Sequence, residues 1–144
     1  MNKCEEATLF FNQGFNCAQS VLLVFCEELG LDETSALKIS CGFRGGMCNG
    51  EVCGAVSGAV MALGLKYGQS EVEDKAAKEK TYEIVKEFSS RFKFINGSLI
   101  CKELLDFDLS IENGRKIARE KGLFSNVCPK VINDAVSILE DILK

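Results

Sequence analysis

A single proline in 144 residues, and apolar side chains that recur at intervals of three and four, leave this chain little to fold into but helices. Strand-like alternation is scarce. The spacing predicts a helix from Lys3 to Phe11, with Cys4, Ala7 and Phe11 on one side, and a turn over residues 12–16 broken at Gly14. Asn16 is placed to cap a helix that reaches Leu29 and closes at Gly30. Asp32 caps the next, which runs to about Cys41. Residues 42–51 are rich in glycine and irregular. From Val52 to Tyr67 the chain is apolar on nearly every side, as a central, buried helix must be. Within it Gly54 and Gly58 stand four apart, beside Ala55, Ala59 and Ala62, so another helix can come close. Gly68 ends this helix. A long charged helix is expected from Ser70 to about Phe94, with Val85, Phe88, Phe92 and Ile95 as its apolar seam. After a turn at 96–98 come a short helix containing Cys101, Leu104 and Leu105, another over about 111–121, and a last one beginning at Pro129. The expected fold is all-α: one domain over residues 1–144, a bundle of about seven to eight helices around a buried central helix at about 52–67. No internal repeat or linker interrupts it.

Composition closes off several kinds of function. There is no histidine, which removes Ser-His-Asp and Cys-His catalysis, histidine-ligated haem and Cys/His zinc fingers. The net charge is −4 and the cations are scattered; even Lys75, Lys78 and Lys80 are interleaved with acids, so no nucleic acid is expected as a partner. The stretch from Gly54 to Leu65 is too short to span a bilayer, and the acidic start offers no targeting run, so no membrane insertion and a cytoplasmic location are expected. Thiols are kept reduced in that compartment, which argues against reading the eight cysteines as a static disulfide framework.

No Cys-x-x-Cys occurs, so neither a thioredoxin-type dithiol nor a zinc ribbon has its signature. The cysteines instead sort by place. Cys4, Cys26 and Cys41 fall on the apolar sides of expected helices, where a reduced cysteine packs as a small hydrophobe. Cys17, Cys53, Cys101 and Cys128 each fall in or just before the first turn of an expected helix. Unpaired backbone N–H groups and the positive end of the helix dipole favour a thiolate there, the form that attacks disulfides and binds metals. Cys48, in the glycine-rich loop five residues before Cys53, is held in reserve as a resolving thiol, a ligand or a bystander. Arg44 is that loop's one cation, set to face solvent, pair with a carboxylate or steady a thiolate.

Around these residues the chain resembles the redox-active C_GCAxxG_C_C family, which is built on a Cys-Gly-Ala-x-x-Gly core. Here that core is Cys53-Gly54-Ala55-Val56-Ser57-Gly58. The upstream match is Gly14-Phe15-Asn16-Cys17-Ala18-Gln19-Ser20-Val21, and the downstream matches begin at Cys101 and at Cys128-Pro129-Lys130. The resemblance extends over roughly residues 11–143. It implies a helical fold with four signature cysteines, which correspond to Cys17, Cys53, Cys101 and Cys128. Related sequence is also similar to the iron–sulfur region of split-Soret cytochromes, although the haem-attachment Cys-x-x-Cys-His is absent here. Cys4, Cys26, Cys41 and Cys48 inherit no role from the resemblance.

Three functions follow as expectations. The first is thiol–disulfide chemistry with a redox partner or a small thiol or disulfide, with Cys53 as nucleophile because its helix start follows a flexible loop, and Cys17, Cys101 or Cys128 as its resolving partner. The second is a metal site on the same four thiols, holding zinc or an iron–sulfur cluster. The third is a non-catalytic helical module whose cysteines are structural. The Gly54/Gly58 face is open to packing either within the chain or between two copies in a homodimer.

Overall fold

The computed structural model describes residues 1–144 and is helical nearly throughout, with no strand. Its α-helices are α1 (Lys3–Gln13), α2 (Cys17–Cys26), α3 (Glu33–Ser40), α4 (Gly54–Tyr67), α5 (Lys75–Asn96), α6 (Cys101–Leu105), α7 (Glu112–Glu120), α8 (Leu123–Asn126) and α9 (Cys128–Ile142). The all-α expectation holds, and the elements fall close to their expected places. The exceptions have local causes. α2 stops at Cys26 and passes through turns to Gly30, whose φ of 87° is left-handed. α5 starts at Lys75 rather than Ser70, because the Asp74 side chain accepts from the Ala77 N–H at 3.1 Å and fixes the cap there. The single turn α8 has no periodicity to announce it.

α4 is central as expected: Ala55, Ala59, Ala62 and Leu63 are fully buried. α2 lies against it more extensively than any other pair of helices packs. The reason is a glycine. A Cβ built on Gly58 would stand 2.6 Å from the Ala18 carbonyl oxygen, so the two backbones meet where no side chain fits. α1, α5 and α9 close the remaining sides through Ala7, Phe88, Phe92, Ile132 and Leu139. α6, α7 and the Leu109 loop form a second, smaller apolar cluster around Cys101, Leu105, Leu109, Ala118 and Cys128. Phe11, Cys17 and Val127 pack against both clusters and mark the seam between them. No helix is long and apolar enough to cross a membrane.

The glycine-rich stretch is as irregular as its composition suggests. After a 3₁₀ turn at Cys41–Phe43, residues Gly45, Gly46, Met47 and Cys48 hold successive left-handed φ values of 58, 72, 59 and 61°. Met47 and Cys48 are strained there, by about 1 kcal/mol or more each.

Candidate functional site

Each of the four signature cysteines stands at a helix start. Cys17, Cys101 and Cys128 are the first residues of α2, α6 and α9, and Cys53 is the N-cap of α4. Local chemistry sets these starts. Asn16 and Gln19 form a reciprocal capping box, Asn16 Oδ1 accepting from the Gln19 N–H at 2.9 Å and Gln19 Oε1 from the Asn16 N–H at 3.0 Å. The Asn16 amide also donates to the Cys41 carbonyl, tying α2 to the end of α3. Pro129 opens α9, where its missing N–H costs nothing.

What brings the four starts together is long-range. An isolated antiparallel bridge pairs Val52 with Ile100. The Cys53 N–H donates to the Leu99 carbonyl at 2.7 Å, and the Cys101 N–H to the Glu51 carbonyl at 2.6 Å. The bridge therefore places Cys53 and Cys101 one residue beyond the same staple. The α2–α4 contact at Gly58 does the same for Cys17, and a Cβ on Gly54 would lie 3.2 Å from that of Cys17. Cys17, Cys53, Cys101 and Cys128 all line one cavity of about 290 Å³ at the seam between the two apolar clusters.

The electrostatics separate the four. Burial pushes the Cys53 thiol up to about 11, although the Ala55 and Val56 N–H groups pull the other way. Burial pushes Cys101 up to about 12, with the charges of Cys53, Cys128 and Asp108 adding to it. Cys17 and Cys128 each exert the strongest influence on the other's thiol. A hydrogen bond given by Cys17 holds Cys128 below the ordinary thiol value and leaves Cys17 well above it. Helix-start N–H groups pull on Cys53 alone, where desolvation outweighs them. Cys128 is lowered by Cys17 rather than by its helix start, so the expectation that a helix start by itself favours a thiolate is met at none of the four.

The other sequence candidates lie apart. Cys48 is exposed, its thiol directed at the Gly42 carbonyl at 3.7 Å, and it does not line the cavity. Cys26 is fully buried and donates to the Leu23 carbonyl, and Cys4 is half-buried with its thiol near the Asn133 carbonyl. Cys41 was expected on an apolar helix face but is exposed, because α3 ends at Ser40 and the chain turns outward there. Arg44 reaches the cavity, and so do two residues the cysteine pattern does not single out, Arg115 and Arg119. Their four-residue spacing on one face of α7 is the signal that would have found them.

Thiolates suit zinc or iron, but no group of three or more Cys, Asp or Glu side chains is placed to hold a metal ion. As arranged, the four thiols do not fit such a site.

Fold and site together define a helical thiol protein, in which four helix starts deliver four reduced cysteines to one cavity. The chain belongs to the C_GCAxxG_C_C family, described as "Putative redox-active protein (C_GCAxxG_C_C)", whose pattern matches residues 15–142. No curated protein and no solved structure matches the chain.

Proposed function

We propose that this chain exchanges two electrons with a disulfide through Cys128 and Cys17, with Cys53 and Cys101 as a second, protonated pair beside them. The observation that carries this reading is that Cys17 and Cys128 share the wall of one cavity, each the strongest influence on the other's thiol, and that the rim of this cavity, at Arg44 and Arg119, is exposed. The Cys128 thiolate attacks one sulfur of the incoming disulfide, forming a mixed disulfide and breaking the S–S bond. The leaving sulfur takes the proton of Cys17. Cys17, now a thiolate, attacks the Cys128 sulfur and expels the second half of the substrate as a thiolate. One disulfide is reduced to a thiol and a thiolate, and one Cys17–Cys128 disulfide is formed. An external dithiol running the same steps in reverse restores the protein. Membership of a family described as redox-active supports this reading.

The test is peptide mapping of the fully reduced protein after reaction with bis(2-hydroxyethyl) disulfide. A Cys17–Cys128 linkage is expected, and Cys17→Ala should accumulate the mixed disulfide on Cys128. Linkage through other cysteines overturns the assignment. Stoichiometric zinc, or iron with sulfide, in anaerobically purified protein whose four thiols resist alkylation would replace it with the metal reading.

A further inference from the structure

We propose that the disulfide admitted to this cavity is a small one carrying negatively charged groups, recognised by Arg44, Arg115 and Arg119. This rests on the exchange reading above and names its substrate class.

Access sets the size. Cys53, Cys101 and Cys128 are only 5, 6 and 6% exposed, recessed in a cavity of about 290 Å³. That volume sits at the small end of the ~300–1,000 Å³ range typical of small-molecule sites. A disulfide on the surface of a folded protein cannot bring its sulfurs to thiols buried so far, whereas a short, flexible molecule can.

Charge sets the sign. The chain carries 21 acidic residues against 17 basic ones, yet the cavity lining contains three arginines and no aspartate or glutamate. One carboxylate, Asp108, acts on Cys101 from outside the lining, and it is occupied by the Ser110 N–H and hydroxyl. The ion pairs of the chain, Lys3–Glu28, Arg91–Asp141 and Lys130–Asp134, involve none of the three arginines. Arg115 spends one guanidinium nitrogen on the Leu109 carbonyl at 2.9 Å, which aims the group without neutralising it. Arg119 follows one turn later on α7, and Arg44 comes from the loop before α4. The forces on the four thiols are burial, backbone amides, one another and Asp108, with no arginine among them. The arginines, which line the cavity and take part in no ion pair, are left to meet what enters. Phe11, Phe15, Leu109 and Phe124 are among the apolar residues of the wall, which suits short methylene arms between a disulfide and its anionic ends. Planar, bidentate guanidinium recognition favours carboxylates at those ends.

Three disulfides of matched size separate the alternatives: 3,3′-dithiodipropionate (a dianion), bis(2-hydroxyethyl) disulfide (neutral) and cystamine (a dication). Their rates of oxidising the reduced protein are measured relative to those with a free small thiol in the same buffer. At low salt the protein should favour the dianion over the dication by roughly tenfold beyond the free thiol, and about 0.5 M salt should remove most of that preference. Arg44→Gln and Arg119→Gln should each reduce the ratio by roughly threefold; both side chains are exposed, so neither change threatens the fold. The double variant Arg44→Glu/Arg119→Glu should turn the preference toward cystamine. Equilibrium binding of 3,3′-thiodipropionate, an unreactive thioether, provides a second reading and should weaken in the double variant. A ratio equal to that of the free thiol, or indifferent to Arg44 and Arg119, overturns the proposal, as does wild-type protein that fails to bind the thioether. Arginine-dependent binding of the thioether with no reaction of any disulfide keeps the anion site and removes the exchange function. Reaction with all three disulfides at equal relative rates does the reverse.

Discussion

Replacing Gly58 with alanine tests the packing that positions the site. The new methyl carbon would lie 2.6 Å from the Ala18 carbonyl oxygen, 3.1 Å from its Cα and 3.2 Å from its carbonyl carbon, all backbone atoms that cannot rotate away. Ordinary contact begins at 3.4 Å, so α2 and α4 must part by ~0.8 Å at this point. Overpacking of this kind costs about 1–3 kcal/mol, while alanine returns up to about 1 kcal/mol of helix propensity. A net loss of about 1–2 kcal/mol corresponds to a fall in Tm of roughly 3–8 °C for a chain of this length. The matched control is Gly64→Ala in the same helix, where nothing lies within 4 Å of the added carbon. There the propensity gain stands alone, and Tm should rise by about 2–4 °C. Thermal unfolding followed by circular dichroism reads both. If Gly58→Ala stabilises the protein as Gly64→Ala does, the close approach of α2 and α4 is refuted, and with it the account of how Cys17 is brought to Cys53.

Other expectations concern the thiols directly. Cys17→Ala removes the donor that holds Cys128 low, so the pH midpoint for alkylation of Cys128 should rise, and an unchanged midpoint would show that Cys17 is not the cause. In native protein treated with limiting iodoacetamide, the exposed Cys41 and Cys48 should be labelled readily and the fully buried Cys26 only after unfolding, a ranking read by mass spectrometry of the digest. Stability should fall with alkali. The Cys53 and Cys101 thiols are raised to about 11 and about 12 from 9.0, so their contribution is intact below about pH 9 and is lost as pH rises through the folded values. Urea denaturation from pH 8 to pH 11 should show this decline, shallower in Cys53→Ala; equal slopes would place Cys53 in solvent.

What the sequence made legible was local. Asn16 with Gln19, Asp32 and Pro129 are helix-start signals that act within one turn, and they put Cys17, the start of α3 and Cys128 where they are found. The glycine pair in α4 announced a close approach without naming Ala18 as the partner. The convergence of the four cysteines was not legible, because it depends on the Val52–Ile100 bridge between segments almost fifty residues apart, each too short to show strand periodicity. Protonation was misjudged at Cys53 for a related reason. A helix start is a sequence property, but desolvation is set by what packs over it, and Cys53 belongs to the main apolar cluster. Arg115 and Arg119 share a four-residue spacing that the sequence does show, but Glu112, Lys116 and Glu120 share it too, and the placement of α7 over the cavity is what gives the arginine pair its meaning.

The same placement explains why four thiols at four helix starts do not become four thiolates. Each start offers unpaired N–H groups, but the sulfurs share one cavity, and the charges of Cys53, Cys101 and Cys128 all raise the pKa of Cys17. A first negative charge therefore opposes a second. Cys128 is the one thiol held below its ordinary value, and the other three are raised, which in the proposed exchange makes them proton sources rather than competing nucleophiles. The proposed exchange is then sequential, the second thiolate forming once the first has been spent in a covalent bond. Anionic substrate would sharpen this order. Its charge is met at the arginine rim rather than among the sulfurs, so it enters without suppressing the one thiolate it needs.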